Sequence, residues 1–387
     1  MPIARRPHPA LIPFLALFAA QSGFLVLTPT LPALARDLGV STATAGALRI
    51  ASGLAGAAVA LSLTAIVRRL GLRDMIAAGL LGIALASAAS ALAPSFAVLA
   101  AAQVAVGAGG AIVVSGGVAA AARWSATGER ARVLAWTLLG QPAAWVAAMP
   151  VVGALADTSW RLALAVPVAA AMLALVALTR RPAEAPEPGR AGTVAVLRGD
   201  IAVAGWAVGE LLAFSAWGGT LTFAGALMAE SYGISPGLVG VVLAAGAVAY
   251  FPGSMLARRR AQAAPRPLLV LLGAMLAALV AVFGAVRPDL GFSVALFAVL
   301  VALAGARTLA GSAAGLAVAP GGDVAAMSIR AAALQLGYVV GGTLGGAALS
   351  VGGYPLLGAV LGVLFAGAAL PHLHATRITP TTQEVTP

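Results

Sequence analysis

Glu210 is the one charge in a long apolar stretch, residues 201–229, reading IAVAGWAVGELLAFSAWGGTLTFAGALMA. Counted from the start of a helix rising ~1.5 Å per residue, it lies ~13 Å deep in a hydrocarbon layer ~30 Å thick. A carboxylate at that depth costs several kcal/mol unless it is protonated, paired or facing a water-filled cavity. Trp206, Phe214 and Trp217 stand at i−4, i+4 and i+7 from it, so one helical face combines a titratable group with large flat rings. A second intramembrane charge, Arg307, sits in VALAGARTLAGSAAGLA, about nine residues from the end near Leu316. If that helix runs opposite to the one carrying Glu210, both charges lie ~13 Å from the same surface. An opposite charge favours the ionised form of a buried acid, while burial alone favours the neutral form. Displacing Arg307 from Glu210 would therefore promote proton uptake. A permanent pair joining two helices is the other reading.

The chain that must position these charges belongs in a membrane. Of its 387 residues 61% are hydrophobic and 9% charged, with a mean hydropathy of +1.01. Cysteine is absent, and the three histidines, His8, His372 and His374, lie near the ends, so thiolate sites, disulfides and metal clusters are not expected. All 23 basic residues are arginine. A net charge of +11 fits the positive-inside bias of membrane proteins better than nucleic-acid binding. No H-E-x-x-H occurs, the single G-x-S-x-G match, Gly233 to Gly237, lies between two apolar runs with no histidine in the central spans to act as its base, and without lysine there is no phosphate-binding G-x-x-x-x-G-K loop. An intramembrane enzyme is therefore not expected, no cofactor is implied, and ATP drive would need another subunit.

Apolar runs of spanning length cover roughly 10–34, 44–67, 75–93, 95–121, 134–155, 162–179, 201–229, 236–257, 267–286, 291–318, 327–350 and 354–372, twelve in all. The first is too long for a signal-peptide core. With the N-terminus in the cytoplasm eighteen arginines fall inside, among them Arg330, and four outside, Arg36, Arg49, Arg161 and Arg287, so both termini are expected in the cytoplasm. Asp37 and Arg49 read as solvated residues near the outer face. The polar break TRRPAEAPEPGRAGTVAVLRGD reads as a cytoplasmic linker. The expected layout is a six-helix bundle over 1–179, a linker over 180–200, a second bundle over 201–374 and a tail over 375–387. Leu38-Gly39-Val40-Ser41 echoes Tyr232-Gly233-Ile234-Ser235, and Phe96-Ala97-Val98-Leu99 echoes Phe297-Ala298-Val299-Leu300, which supports a parallel duplication.

These features resemble the major facilitator superfamily: twelve all-α spans in two pseudo-symmetric six-helix bundles. Leu31-Pro32-Ala33-Leu34-Ala35-Arg36-Asp37-Leu38-Gly39 resembles the end of the first helix in its bacterial drug-efflux members. Glu129-Arg130-Ala131-Arg132, Pro150 to Ala156 with Gly153, and Trp160-Arg161 resemble the fourth loop and fifth helix of that group. Ser328-Ile329-Arg330, Gln335-Leu336-Gly337-Tyr338 and Gly345-Gly346 resemble its eleventh helix. The chain also departs from the pattern. In the loop between helices 2 and 3, usually G-x-x-x-D-R-x-G-R-K, Thr64 replaces the glycine and Arg68 the acid, leaving Arg69, Gly71 and Arg73. Gln103 stands where the efflux group has a helix-4 arginine, and Trp145 and Met149 stand where helix 5 usually has glycines.

The resemblance implies a secondary transporter of the bacterial cytoplasmic membrane, working by alternating access, with helices 1, 4, 7 and 10 around a central path. Glu210 and Arg307 are the expected proton-coupling residues. Gln21, Thr28, Gln103, Trp206, Phe214, Trp217, Gln335 and Tyr338 are the expected substrate contacts, with Gln141 a softer candidate. Arg69, Gly71, Arg73, Pro150 and Gly153 are the expected gating residues. Gly337, Gly341 and Gly345, with Gly342 and Gly346, read as a sliding helix contact. The partners are a small-molecule substrate, protons and the bilayer, without nucleic acid, and the chain is expected to act as a monomer. Proton-coupled efflux of a small, partly hydrophobic compound is the first reading. Transport of a small organic anion bound by Arg307 is the alternative.

Overall fold

The computed structural model describes residues 9–67, 70–126, 129–182, 200–318 and 323–374. Arg68 and Arg69, most of the 180–200 linker and the 375–387 tail lie outside these residues. Among the described residues eleven helices are long and apolar enough to cross a membrane: α1 (Leu11–Asp37), α2 (Thr42–Ala60), α3 (Leu72–Ala91), α4 (Phe96–Ala121), α5 (Arg132–Thr158), α6 (Trp160–Leu178), α7 (Ile201–Tyr232), α8 (Pro236–Ala263), α9 (Pro265–Ala285), α10 (Leu290–Val318) and a last one, Ala326–Leu373. The last is broken at Gly352 and Gly353, the latter at φ 63°, a left-handed backbone that glycine alone adopts freely. The break turns the chain back on itself and makes two spans, α11 (326–351) and α12 (354–373), so the described residues form twelve.

Proline sets the shape of four helices. It has no N–H for the carbonyl four residues earlier and crowds that turn. The helix is interrupted at Val26 in α1, Leu139 in α5, Leu164 in α6 and Ala249 in α8. Each interruption lies three residues before a proline: Pro29, Pro142, Pro167 and Pro252.

The duplicated tetrapeptide is one structural device used twice. Gly39 and Gly233 both have positive φ, 65° and 63°. Ser41 and Ser235 then cap the next helix, each hydroxyl accepting from a backbone N–H three residues on, Thr44 and Leu238. The second echo falls at different places in its two helices. Phe96 begins α4, whereas Phe297 lies seven residues into α10 and is fully buried.

The helices form two bundles, α1–α6 and α7–α12, that meet through α2 on α11, α5 on α8 and α1 on α7. One face of the molecule carries the start of α1 and the end of α12 (the termini face); the other is the distal face. Among the described residues, the apolar core near the distal face runs through both bundles, joining Leu31, Met149 and Val152 to Phe223, Leu227 and Phe297. Near the termini face it splits. Ile12, Ile76, Leu80 and Leu178 belong to one cluster, and Val203, Trp206, Leu269 and Ile329 to another.

The distal face is also tied by polar contacts. Thr42 donates to Glu230 at 2.6 Å, Tyr354 donates to the other oxygen of Glu230 at 2.7 Å, and the Gly237 N–H donates to Asp157 at 2.8 Å. Glycine lets the backbones close there. A Cβ on Gly153 would meet Pro236 O at 2.5 Å and the Cα of Gly240 at 3.0 Å. One on Gly225 would overlap the Thr28 carbonyl. Within the first bundle Asp37 accepts from Trp160 at 2.9 Å and Arg161 at 3.1 Å, while Arg161 also donates to the Ala91 and Ala93 carbonyls that end α3.

Candidate functional site: a buried acid held by two arginines

Asp200 caps α7 by accepting from Ala202 N–H at 2.7 Å, and Glu210 follows almost three turns later, fully buried. Arg307 comes to it from α10. Its Nη1 lies 2.9 Å from Glu210 Oε1, and its Nη2 donates to the Gly209 carbonyl at 3.1 Å. The Oε1 contact is ionic rather than an aligned hydrogen bond, since Oε1 has no hydrogen-bond partner among the described residues. The depth estimate made from helix rise therefore brings the right two residues together.

A third member was hidden. Arg330 on α11 donates through Nε to Glu210 Oε2 at 2.8 Å and through Nη2 to the Thr308 carbonyl at 3.3 Å. Its guanidinium lies 4.9 Å from the Phe214 ring centroid, a cation–π contact worth up to about 2 kcal/mol when desolvated. In the sequence Arg330 stands near the edge of an apolar run and is counted among the arginines on the cytoplasmic side. Its side chain is in fact 16% exposed, against 6% for Arg307 and 0% for Glu210. One acid and two bases give the cluster a formal charge of +1.

Small residues make this fit possible. A Cβ on Gly311 would overlap Glu210 Oε1, and one on Gly315 would overlap the Trp206 ring. Trp206 donates through Nε1 to the Gly311 carbonyl at 2.9 Å, so it braces α10 against α7 instead of facing the central path. His372 on α12, whose Nε2 has no hydrogen-bond partner among the described residues, borders the cluster at Gly209.

One turn along α11 from Arg330 is a small cavity between the bundles, about 20 Å³, room for one water molecule. Gln21, Phe24, Gln141, Leu334, Gln335 and Tyr338 are among its walls. Gln141 donates to Gln21 at 3.4 Å, and Tyr338 stacks on Phe24 with centroids 6.1 Å apart. Three of the expected substrate contacts, Gln21, Gln335 and Tyr338, thus share one cavity, with Gln141 beside them. Gln335 fits only because Gly53 and Gly56 on α2 make room for it.

The other expected contacts lie elsewhere. Gln103 is buried against α3, donating to Ser90 at 3.1 Å. Trp217 packs on the distal core and Phe214 lies under Arg330. Thr28 is buried and accepts from Arg49 at 3.2 Å. Of the expected gating residues, Gly153 packs on α8, with Pro150 one turn before it. Gly71 is the extended residue that starts α3, and Arg73 pairs with its neighbour Asp74 at 3.0 Å. Arg69 lies outside the described residues. The glycine stripe on α11 divides by face. Gly337, Gly341 and Gly345 pack on α7 in the same bundle, while Gly342 and Gly346 face α2 in the other.

The Major Facilitator Superfamily profile matches residues 13–206, half of the chain. The chain belongs to the Major Facilitator Superfamily. Solved superfamily structures share the fold at low identity. The D-xylose–proton symporter aligns with a TM-score of 0.76 at 16% identity, over 94% of this chain and 96% of that one. A bacterial homologue of the human lysosomal transporter Spinster, in an inward-facing unoccupied conformation, gives 0.72 at 15% identity, over 95% and 93%. The human organic anion transporter MFSD10 (TETRAN) gives 0.68 at 16% identity, over 95% and 100%. No curated protein matches the sequence. This chain is thus an integral membrane transporter of that superfamily, with the acid–arginine cluster on helices 7, 10 and 11.

Proposed function

We propose that the protein is a proton-coupled secondary transporter that exports a small, partly hydrophobic compound by alternating access. On this reading residues 1–179 and 201–374 are the rocking halves. The observation that carries it is the burial of Glu210 between Arg307 and Arg330, on the side where the apolar core is divided. Glu210 is the coupling acid. Ionised, it is held by both arginines; when Arg330, the most exposed member, moves with α11, it loses a counter-charge and takes up a proton. Cargo enters between Gln21, Gln141, Gln335 and Tyr338 once the halves move apart and enlarge that one-water cavity, where glutamines offer hydrogen bonds and Phe24 an apolar face. Arg307 is engaged by Glu210 and the Gly209 carbonyl, which weighs against its gripping a substrate anion.

In this proposal the membrane is a bacterial cytoplasmic membrane, the termini face is cytoplasmic and the unit is a monomer. Arg49 and Arg330 lie inside helices rather than loops, and without them the arginines still divide seventeen to three in favour of the termini face. Single cysteines at Glu187 and Ser231 in this cysteine-free chain should label from opposite sides of the membrane; labelling from one side would refute the topology. Coupling is tested in proteoliposomes with an imposed pH gradient, using compounds first selected because they raise the melting temperature of the purified protein. Uphill accumulation that a protonophore collapses is the expected result. Accumulation indifferent to the protonophore would remove the proton from the mechanism.

A further inference from the structure

Among the described residues one fully buried arginine stands outside the Glu210 cluster. Arg49, near the start of α2, is only 2% exposed and among the largest fully enclosed side chains of the protein. Its Nη2 donates to the Thr28 hydroxyl at 3.2 Å, and its guanidinium lies 5.3 Å from the centroid of the Tyr338 ring. Neither Nε nor Nη1 has a hydrogen-bond partner among the described residues, and no described carboxylate pairs with it. A charge within a membrane is costly unless it is paired, and a contact that only held α2 to α11 could be made by any neutral donor. Tyr338 is also a wall of the central cavity, so the same ring borders the cargo space and the guanidinium.

We propose that Arg49 is an anion-binding site for the cargo, which is a small, partly hydrophobic monocarboxylate. Resting on the transport reading above, this names the cargo class and moves the anion contact from Arg307 to Arg49. The cargo carboxylate accepts from Nε and Nη1, completing the charge balance that the protein leaves open. A single guanidinium matches a single negative charge. The apolar body of the cargo lies against Phe24 and Tyr338, and the glutamines serve its remaining polar groups. Arg49 belongs to the first bundle and Tyr338 to the second, so a carboxylate entering beside Tyr338 reaches Arg49 only as the bundles part.

The test uses the purified full chain and a matched set of probes: benzoate, 3-phenylpropionate and indole-3-acetate, each beside its neutral amide. Melting temperature and equilibrium dialysis are read for wild type, Arg49→Met, Arg49→Lys and Glu210→Gln. Methionine keeps most of the volume without the charge, so Arg49→Met should fold with an unchanged or higher melting temperature in the absence of probe. At least one acid should bind wild type tenfold or more tightly than its amide. That preference should vanish in Arg49→Met, persist in part in Arg49→Lys, and survive in Glu210→Gln. If no acid is preferred over its amide in wild type, or if the preference is equal in Arg49→Met, the proposal is overturned. Should Arg49→Met fail to fold, Arg49→Gln decides, since loss of the acid preference in that neutral variant supports the site and an undiminished preference overturns it. Proton-driven accumulation of neutral compounds by Arg49→Met would leave the transport reading standing while the carboxylate assignment fell. Arg49-dependent binding of an acid without a proton requirement would do the reverse.

Discussion

Glu210→Gln is expected to destabilise the protein by about 3–5 kcal/mol and to abolish proton-driven accumulation while cargo binding persists. Among the described residues the acid is the only counter-charge paired with these two arginines, so its removal takes the cluster from a formal +1 to +2. Glutamine keeps the shape and one acceptor oxygen but cannot exchange a proton. Arg307→Met should cost less, about 1.5–3 kcal/mol for the lost charge-assisted hydrogen bond from Arg307 to the Gly209 carbonyl, because Arg330 still holds Oε2 and the remaining pair is neutral. The double variant should be less destabilised than the sum of the singles, with a coupling of about 0.5–3 kcal/mol. Thermal unfolding of the four proteins in one detergent measures the cycle. An Arg307→Met protein as unstable as Glu210→Gln, or additive singles, would refute the three-membered cluster.

Gly153→Leu is expected to abolish transport by a different route, leaving the charge cluster intact. A Cβ at this position already lies too close to the Pro236 carbonyl and to Gly240, both in the other bundle. Four side-chain carbons cannot be accommodated while α5 and α8 touch, and the obstacle is backbone, which cannot rotate away. The distal face would then be held apart. Thr28, fully buried in the present arrangement, reports on it. A Thr28→Cys protein should resist a membrane-impermeant maleimide, and the same cysteine in the Gly153→Leu background should react from the distal side. Equal labelling of both would mean that the α5–α8 contact does not control that face. Gly153→Ala should show an intermediate effect, since its single Cβ, 2.5 Å from the Pro236 carbonyl oxygen, still requires the two backbones to move apart but by less than leucine does.

The twelve spans, their lengths and the pairing of Glu210 with Arg307 were legible because each depends on one-dimensional quantities: length, hydropathy and depth along a helix. Gly39 and Gly233 could be matched because a left-handed turn followed by a capping serine is written in four consecutive residues. What could not be read was which face of a helix meets which neighbour. Trp206, Phe214 and Trp217 share a face with Glu210, but that face wraps from α10 through α11 to the distal core, so only the fold assigns each ring its task. Arg49 reads as a solvated charge and Arg330 as one of the cytoplasmic-side arginines because both lie within about two turns of a span's end. Arg330 reaches inward from there, and Arg49 is enclosed by the close approach of α1, α2 and α11, which no local pattern announces. Gln103 shows the opposite error: a polar residue in mid-span suggested the central path, and it satisfies Ser90 within its own bundle instead.

The unequal count of one acid and two arginines also makes the protein an electrical device. A charge moved through the whole of a 100 mV membrane potential changes in energy by about 2.3 kcal/mol. If alternating access transfers the opening beside Glu210 from one face to the other, the residual positive charge traverses part of that field even when no proton or cargo travels with it. With the termini face on the negative side, the potential would favour the arrangement in which this charge lies nearest that face. The empty carrier would then be drawn back by voltage, and uptake of a proton by Glu210, which raises the cluster to +2, would double that pull. The stoichiometry of the cluster therefore sets not only where a proton can bind but how much of the cycle the membrane potential can drive.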